Sequence, residues 1–471
     1  MEGLKHVKFG GRLLFVGFGS VGQGSLPLLL RHIDIAHERI SIVTGDERGR
    51  AEAAHYGIKF EVRPLTPENY RAILEPLVGK GDFLLNLSVD VSSVALIELC
   101  YEKGAMYLDT CIEPWLGGYT DQSVSASHRS NYGLREVVMS LRAKHPEGPT
   151  VIPTHGANPG LISHWVKQAM VNIARDIEGE VTIPTTREDW ARLGMRLGVK
   201  TIHCAERDTQ VAHPRKRRFE FVNTWSVDGF IGEGSQPCEL GWGSHEKHFP
   251  PDGRSHEFGC QAAIYLTRPG ASVKVRSWTP TEGQYHGLLI THSEAISISD
   301  YFTVRDGDKV VYRPTCHYAY HPCDDTLLSV HELAGRGWIG QEQRRVLMDE
   351  IYDGVDELGA LLMGHRKGAY WYGSRISVHD ARKLAPFNNA TSIQVAAGVL
   401  GGVVWAMQNP RAGILDPDGI DFRRVLEIAS PYLGETVAEY TDWTPLAGRN
   451  HPFPEDLDTS DPWQFKNFRV V

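Results

Sequence analysis

The sequence predicts an α/β fold with an N-terminal parallel sheet, an inserted mixed α+β domain and a C-terminal helical return. Three observations predict it. A glycine-rich turn, Gly17-Phe18-Gly19-Ser20-Val21-Gly22, follows the apolar run Arg12-Leu13-Leu14-Phe15-Val16. Short apolar runs then alternate with helical stretches as far as Ile152, a βαβ rhythm that builds a parallel sheet. After Asn158-Pro159-Gly160 the pattern changes to β-rich segments, followed by a helix rich in small residues.

The glycine turn marks a dinucleotide site in a Rossmann-type domain. Its first glycine lets the chain leave the strand sharply, the second lets a pyrophosphate approach the main chain, and the third allows tight helix-on-strand packing. The helix that follows aims unpaired N–H groups at the phosphates, so Gly17, Gly19, Ser20, Val21 and Gly22 are candidate cofactor contacts. Leu26 and Leu28 to Leu30 continue that helix, and Ile40-Ser41-Ile42-Val43 reads as a second buried strand ending near Asp46. An acid roughly 20 residues past the glycines can accept hydrogen bonds from a ribose diol.

The next strands read as Phe83-Leu84-Leu85-Asn86-Leu87-Ser88, Ala105-Met106-Tyr107-Leu108-Asp109 and Thr150-Val151-Ile152, with a helix over residues 93–103. Ligands of such sheets lie beyond the carboxyl ends of the strands. The residues at those ends are Ser88, Asp90, Asp109, Thr110, Glu113, Thr154, His155 and Asn158. Residues 200–315 hold β-rich runs: Phe219 to Trp225, Ser272 to Trp278 and Leu288 to His292. Residues 388–408 read as a helix packing back on the first domain. The proline-rich tail from Pro410 carries one amphipathic helix near residues 422–430 and is expected to wrap the surface or a partner subunit. At 471 residues the chain exceeds what one core supports. The expected division is a dinucleotide-binding domain over 1–158, a mixed-sheet domain over 159–385, and a helical return with tail over 386–471.

Composition narrows the function classes. Hydrophobic content of 41% and charged content of 23% suit a soluble globular protein. The longest apolar candidate span, residues 393–407, is short and broken by glycines, and residues 1–8 are too polar for a signal peptide. A cytoplasmic protein without membrane association is expected. The seven cysteines are scattered with no CxxC pair, which argues against a disulfide framework and a metal site. A formal charge of −9 disfavours nucleic acid and suits a cationic small molecule. The one basic run, Arg215-Lys216-Arg217-Arg218, reads as a solvated turn.

Several segments, taken together and in order, resemble the bacterial homospermidine synthases, a branch of the saccharopine-dehydrogenase-like proteins. They are Gly17 to Gly22, Asn86-Leu87-Ser88-Val89-Asp90, Asp109-Thr110-Cys111-Ile112-Glu113-Pro114-Trp115, Gly156-Ala157-Asn158-Pro159-Gly160, Asn223-Thr224-Trp225-Ser226-Val227-Asp228-Gly229 and Asn388-Asn389-Ala390-Thr391-Ser392-Ile393-Gln394. The resemblance runs over nearly the whole chain. It implies a homodimer, with residues 159–385 as the substrate and dimerisation domain, that joins two putrescine molecules into sym-homospermidine and releases ammonia, with NAD taking a hydride from one diamine and returning it later. It also places Asp90, Glu113, Glu206 and Glu233 among the substrate-site acids, where carboxylates can anchor ammonium groups and one of raised pKa can carry a proton. Trp225 matches the family's motif, and an indole face can stabilise a cationic imine without attacking it. Asn158 is matched as a hydrogen-bonding partner of nicotinamide or substrate, and His292 as a proton carrier near neutral pH. Asp109 and Thr110 touch the nicotinamide ribose or hold their loop, and Ser88 and Thr154 complete the cofactor contacts.

Other readings stay open at the level of sequence. Arg48 and Arg50 would welcome the 2′-phosphate of NADP that Asp46 repels, although NAD is favoured. A saccharopine or carboxynorspermidine reductase would need a cationic clamp for a carboxylate, and Arg207 is the residue that could supply it. A non-catalytic NAD-binding regulator would need the fold but not the acids.

Overall fold

A computed structural model describes residues 4–144 and 147–471. Residues 1–3, part of the polar opening considered above, lie outside the described residues. The first sheet is built from β1 (Leu13–Val16), α1 (Ser20–His32), β2 (Ile40–Thr44), β3 (Lys59–Val62), β4 (Phe83–Asn86), α2 (Ser93–Lys103), β5 (Met106–Asp109), α3 (Asn131–Lys144) and β6 (Val151–Ile152). Its six strands are all parallel in the order β3-β2-β1-β4-β5-β6. The strand order reverses between β1 and β4, and a crevice opens at that switch point. Every residue of β1, β4 and β5 is buried, which is why these strands read as unbroken apolar runs. The edge strand β3, Lys-Phe-Glu-Val, has no such run and escaped the sequence reading.

Next come α4 (Leu161–Glu178), β7 (Thr201–Asp208), β8 (Glu220–Asn223), α5 (Val227–Ser235), β9 (Pro237–Gly241), β10 (Gly253–Ser255), β11 (Ala263–Pro269), β12 (Lys274–Thr279), β13 (Gly283–Leu288), α6 (Ser293–Tyr301), β14 (Thr315–His321), α7 (Asp324–Gly335), β15 (Gln343–Val346), β16 (Val355–His365) and β17 (Gly368–Ser377). There follow α8 (Ala390–Gln408), the expected amphipathic helix at Phe422–Ala429, β18 (Glu435–Thr441) and a last short helix at Phe465–Phe468. The ten-stranded sheet runs β10-β11-β9-β14-β7-β16-β17-β18, with β13 also against β14 and β12 against β13. Only β7 and β14 are parallel neighbours, so the sheet is mixed as expected.

Several local expectations need correction. The run from Leu288 ends its strand there, and His292 instead caps α6. Glu233, between Gly232 and Gly234, lies in the last part of helix α5. The tail does not simply wrap the surface: β18 extends the large sheet, and Trp463, Phe465 and Phe468 are buried beneath it. The basic turn is partly tied down, because Arg215 pairs with Asp325 at 2.9 Å and Lys216 with Glu332, both on α7.

Helix α8 packs against strands of both large sheets. It packs along α1, and its 19 residues are long and apolar enough by composition to cross a membrane, yet 89% of that stretch is buried inside the protein. Its glycines let neighbours come close: a Cβ at Gly398 would fall 2.0 Å from the Gly156 carbonyl oxygen. Asn389 caps the helix by accepting from the Ser392 N–H at 2.7 Å, and Ser392 returns the bond in a reciprocal capping box.

Candidate active site

At the nucleotide end, the three glycines occupy three different surroundings. Gly17 has φ +81°, and a Cβ on it would meet the Ser88 backbone at 2.6 Å. At Gly22 the nearest atom to a Cβ is the Phe18 ring, at 2.9 Å. Gly19 has nothing within 4 Å of where a Cβ would stand. Gly19 also caps α1 without a side-chain bond, and the first turn of α1 holds no acid, so the start of this helix suits an anion. Ser20 and Val21 begin that turn, and the residues fit a pyrophosphate.

Asp46 stands beyond β2. Its carboxylate accepts from Arg48 Nη2 at 2.6 Å and from the Arg48 backbone N–H at 2.8 Å, and this pairing holds its pKa below the usual range. Arg50 is paired with Glu47. Both arginines that could greet a 2′-phosphate are therefore already matched by acids.

Under the strand ends runs a buried network. Asn86 Nδ2 donates to the Tyr107 hydroxyl at 3.0 Å, Tyr107 donates to Asp109 Oδ2 at 2.6 Å, and Asp109 Oδ1 accepts from the Thr154 N–H at 2.6 Å. Burial raises the Asp109 pKa to about 7. Of its two expected roles, this geometry is that of a loop holder. Ser88 donates to Asn86 Oδ1 at 2.5 Å, and Thr110 lies against Gly156. Asp90 and Thr154 adopt φ of 63° and 58°, a left-handed conformation costly for residues with side chains and typical of functional loops.

The sequence-predicted acids come together along one wall. Glu113 is locked to the start of α2 by reciprocal bonds, its N–H to Ser93 Oγ at 3.0 Å and its carbonyl from the Ser93 N–H at 2.8 Å. Its side chain is buried with Oε2 unpartnered, and burial, with Glu233 and Asp90 nearby, pushes its pKa up to about 8. Burial also raises Asp90, against the pull of Arg344. Cys111 Sγ lies 3.7 Å from Glu233 Oε1, and Glu233 Oε2 lies 3.0 Å from His292 Nε2. The His292 ring packs on Tyr318 at 4.3 Å between centroids. Tyr318 donates its hydroxyl to Glu206, whose Oε2 also accepts from Asn158 Nδ2 at 3.0 Å. Burial, reinforced by the charge of Asp208, carries Glu206 to about 8.

Trp225 follows β8 and is half-buried. Its indole N–H donates to the Tyr320 hydroxyl at 3.3 Å, its ring packs on Phe230 at 5.6 Å, and Gly229 passes beneath it. Tyr320 in turn stacks on Tyr318 at 5.1 Å. Asn389 Nδ2 donates to the Thr224 carbonyl at 2.7 Å, and Asn388 Nδ2 to the Gly24 carbonyl of α1 at 3.1 Å.

Sequence reasoning missed Tyr318, Tyr320 and Glu294. The alternation Tyr318-Ala319-Tyr320 within a strand puts both rings on one face, a signal available in the sequence. Asp208 and Asp356 were missed too. They sit opposite each other on β7 and β16 with the Thr391 hydroxyl between them, and burial raises both. Arg207, the possible clamp for a carboxylate, points to the other face of β7 from Glu206 and meets Glu282 at 3.2 Å and Asp324 at 3.6 Å. Among the described residues no cluster of metal-ligating side chains exists.

Comparisons with known proteins agree with this layout. The family model "Saccharopine dehydrogenase NADP binding domain" matches residues 13–152, and "Saccharopine dehydrogenase C-terminal domain" matches residues 156–441. A homospermidine synthase of Blastochloris viridis is 53% identical over 464 residues, 98% of this chain and 97% of that protein. Another, of Mesorhizobium japonicum, is 51% identical over 467 residues, 98% and 96% of the two chains. The crystal structure of the homospermidine synthase of Legionella pneumophila in complex with NAD superposes with a TM-score of 0.92 at 46% identity, covering 98% of each chain.

Proposed function

The chain belongs to the homospermidine synthase family within the saccharopine-dehydrogenase-like proteins, and from that premise we propose that the wall from Asp90 to Trp225 receives the diamines. The activity is the joining of two putrescine molecules into sym-homospermidine with loss of ammonia, with no net redox change. NAD, when bound, supplies the hydride acceptor and donor. Gly17 to Gly22 would hold its pyrophosphate and Asp46 its adenosine ribose. Ser88, Thr110, Thr154 and Asn158 would border its nicotinamide end, with Asp109 behind them.

The single observation that carries this reading is the line of contacts Cys111, Glu233, His292, Tyr318, Glu206 and Asn158, with Glu113 beside Cys111 and Glu233 and with Trp225 joined through Tyr320. Asp90, Glu113 and Glu233 anchor one ammonium group. An arriving cation lowers a neighbouring carboxyl's pKa, so Glu113, protonated at neutral pH, releases its proton as the diamine docks. Glu206 sits at the other end with a pKa matched to neutral pH, the property wanted in the base that takes a proton from an amine before its carbon is oxidised. Tyr318 and Asn158 hold that carboxyl in place. Trp225 offers its face to the cationic imine, and Phe230 and Tyr320 fix the ring's tilt. Arg207 is turned away and committed elsewhere, which disfavours a carboxylate-bearing substrate. A cytoplasmic homodimer is part of the same proposal.

The test is incubation with putrescine and catalytic NAD. Ammonia release with no lasting NADH absorbance supports the reading. NADH accumulating in proportion to putrescine consumed would identify an ordinary dehydrogenase, and neither signal would point to a regulator.

A further inference from the structure

His292 has a carboxylate oxygen at each ring nitrogen. Nε2 lies 3.0 Å from Glu233 Oε2, on α5, and Nδ1 lies 3.2 Å from Glu294 Oε1, in the first turn of α6. A neutral imidazole has one N–H and one bare lone pair, and would turn that lone pair on one of the two carboxylates. With both carboxyls ionised, both contacts are attractive only when both nitrogens carry protons.

We propose that Glu294 is a positioning residue that fixes His292 as a permanent imidazolium and thereby aims Glu233 at the substrate. This rests on the reading above that Glu233 binds a substrate ammonium. The sequence expectation of His292 as a proton carrier near neutral pH is replaced by a fixed cation.

The surroundings make both acids necessary. Burial disfavours the charged ring, and His292 caps α6, where the helix dipole repels a cation. Glu294 and Glu233 together overcome that burial and raise His292 to about 10. Glu294 Oε2 is buried without a hydrogen-bond partner, so its charge is answered through the Oε1 contact to His292. The other titratable groups facing the ring are Tyr318 of β14 and Glu206 of β7, with Cys111 behind Glu233 and Cys204 and Cys316 beside Glu294. The three thiols are pushed up by burial, so none competes as an anion. The Glu294–His292 pair is neutral as a unit, which leaves the charge of Glu233 for the diamine.

The test is nitrogen-15 NMR of the histidine-labelled, NAD-loaded enzyme, with the His292 signals assigned by their loss in His292→Gln. Both ring nitrogens should keep the protonated shift through pH 9. A His292 that titrates between pH 6 and 8 would overturn the proposal, and so would one ring nitrogen with an unprotonated shift. Glu294→Gln should bring the titration into the neutral range. In that variant kcat/KM for putrescine should fall by about tenfold per pH unit above the new midpoint, with the loss carried by KM. Glu294→Asp should restore the alkaline limb in part. A Glu294→Gln enzyme with the parent pH profile would also refute the role, and if that variant fails to fold, the parent titration alone decides. A parent that keeps the imidazolium but does not condense putrescine would fail only the functional reading.

Discussion

Replacing Gly17 and Gly19 separately by alanine should separate a glycine that shapes the chain from one that makes room for a ligand. At Gly17 the φ of +81° costs any residue with a Cβ about 1–2 kcal/mol. The added methyl would also stand 2.6 Å from Ser88 Cα and N, backbone atoms of the next strand's loop that cannot swing aside. A total loss above about 2 kcal/mol follows, or roughly 4–8 °C in the melting of a nucleotide-binding region of about 150 residues. Gly19 has an ordinary φ, and a Cβ there meets nothing within 4 Å. The NAD-free Gly19→Ala protein should melt within about 0.5 kcal/mol of the parent. Its methyl would nevertheless occupy the approach of the pyrophosphate and cost one charge-assisted hydrogen bond of about 1.5–3 kcal/mol, a loss of NAD affinity of roughly tenfold to 150-fold. The assay is a pair of melts, with and without NAD, and a calorimetric titration of each variant. Gly19→Ala binding NAD as tightly as the parent, or melting as low as Gly17→Ala, would refute the assignment.

Four further outcomes are expected. Trp225→Phe should keep part of the activity and Trp225→Ala should lose at least a further 2- to 30-fold in kcat, the range of about 0.5–2 kcal/mol for a cation over an aromatic face; equal turnover by all three proteins would remove the ring face from the mechanism. Glu206, raised to about 8, must ionise to act as a base, so kcat/KM should climb with pH up to about 8 and flatten in Glu206→Gln. The same raised pKa means the folded state holds the proton more tightly than the unfolded chain, so stability falls as pH rises from about 4.5 to 8; Glu206→Gln should gain in melting temperature at pH 8.5 and not at pH 5, and a gain at both would assign it to packing alone. Asp46→Asn should free Arg48 from its 2.6 Å ion pair and raise NADP affinity relative to NAD, measured by direct titration, whereas an unchanged ratio would mean Arg48 does not face the ribose.

The first sheet was largely legible because its inner strands are covered on both faces and their carboxyl ends hold the polar residues. Leu13 to Val16, Phe83 to Asn86 and Met106 to Asp109 each announce themselves by local composition. The longest strands, β16 and β17, did not. Val355 to His365 places two acids, Asp356 and Glu357, directly after its first residue, and Gly359 lies opposite Gly373, where the Trp371 indole fills the space that a Cβ would need. Such a pairing depends on residues far apart in the chain. The acid wall was hidden for the same reason: Glu113, Glu206, Glu233 and His292 come from four segments, and no periodicity links them. Their grouping was foreseen only through the family likeness. Even that left Glu294 unseen, because its importance lies in facing His292 from the far side of Glu233.

Asn388 and Asn389 sit side by side at the head of α8, one bonded to the helix that follows the glycine turn and the other to the peptide that carries Trp225. The two ends of the site are thus surveyed from a common datum instead of through the long stretch of chain between them, and slack in the intervening loops does not accumulate as error at the reacting carbon. Recombination is constrained accordingly. A chimaera that exchanged the nucleotide unit of this chain for that of a distant relative would need to bring residues 388–408 along, although they lie far outside the segment being swapped.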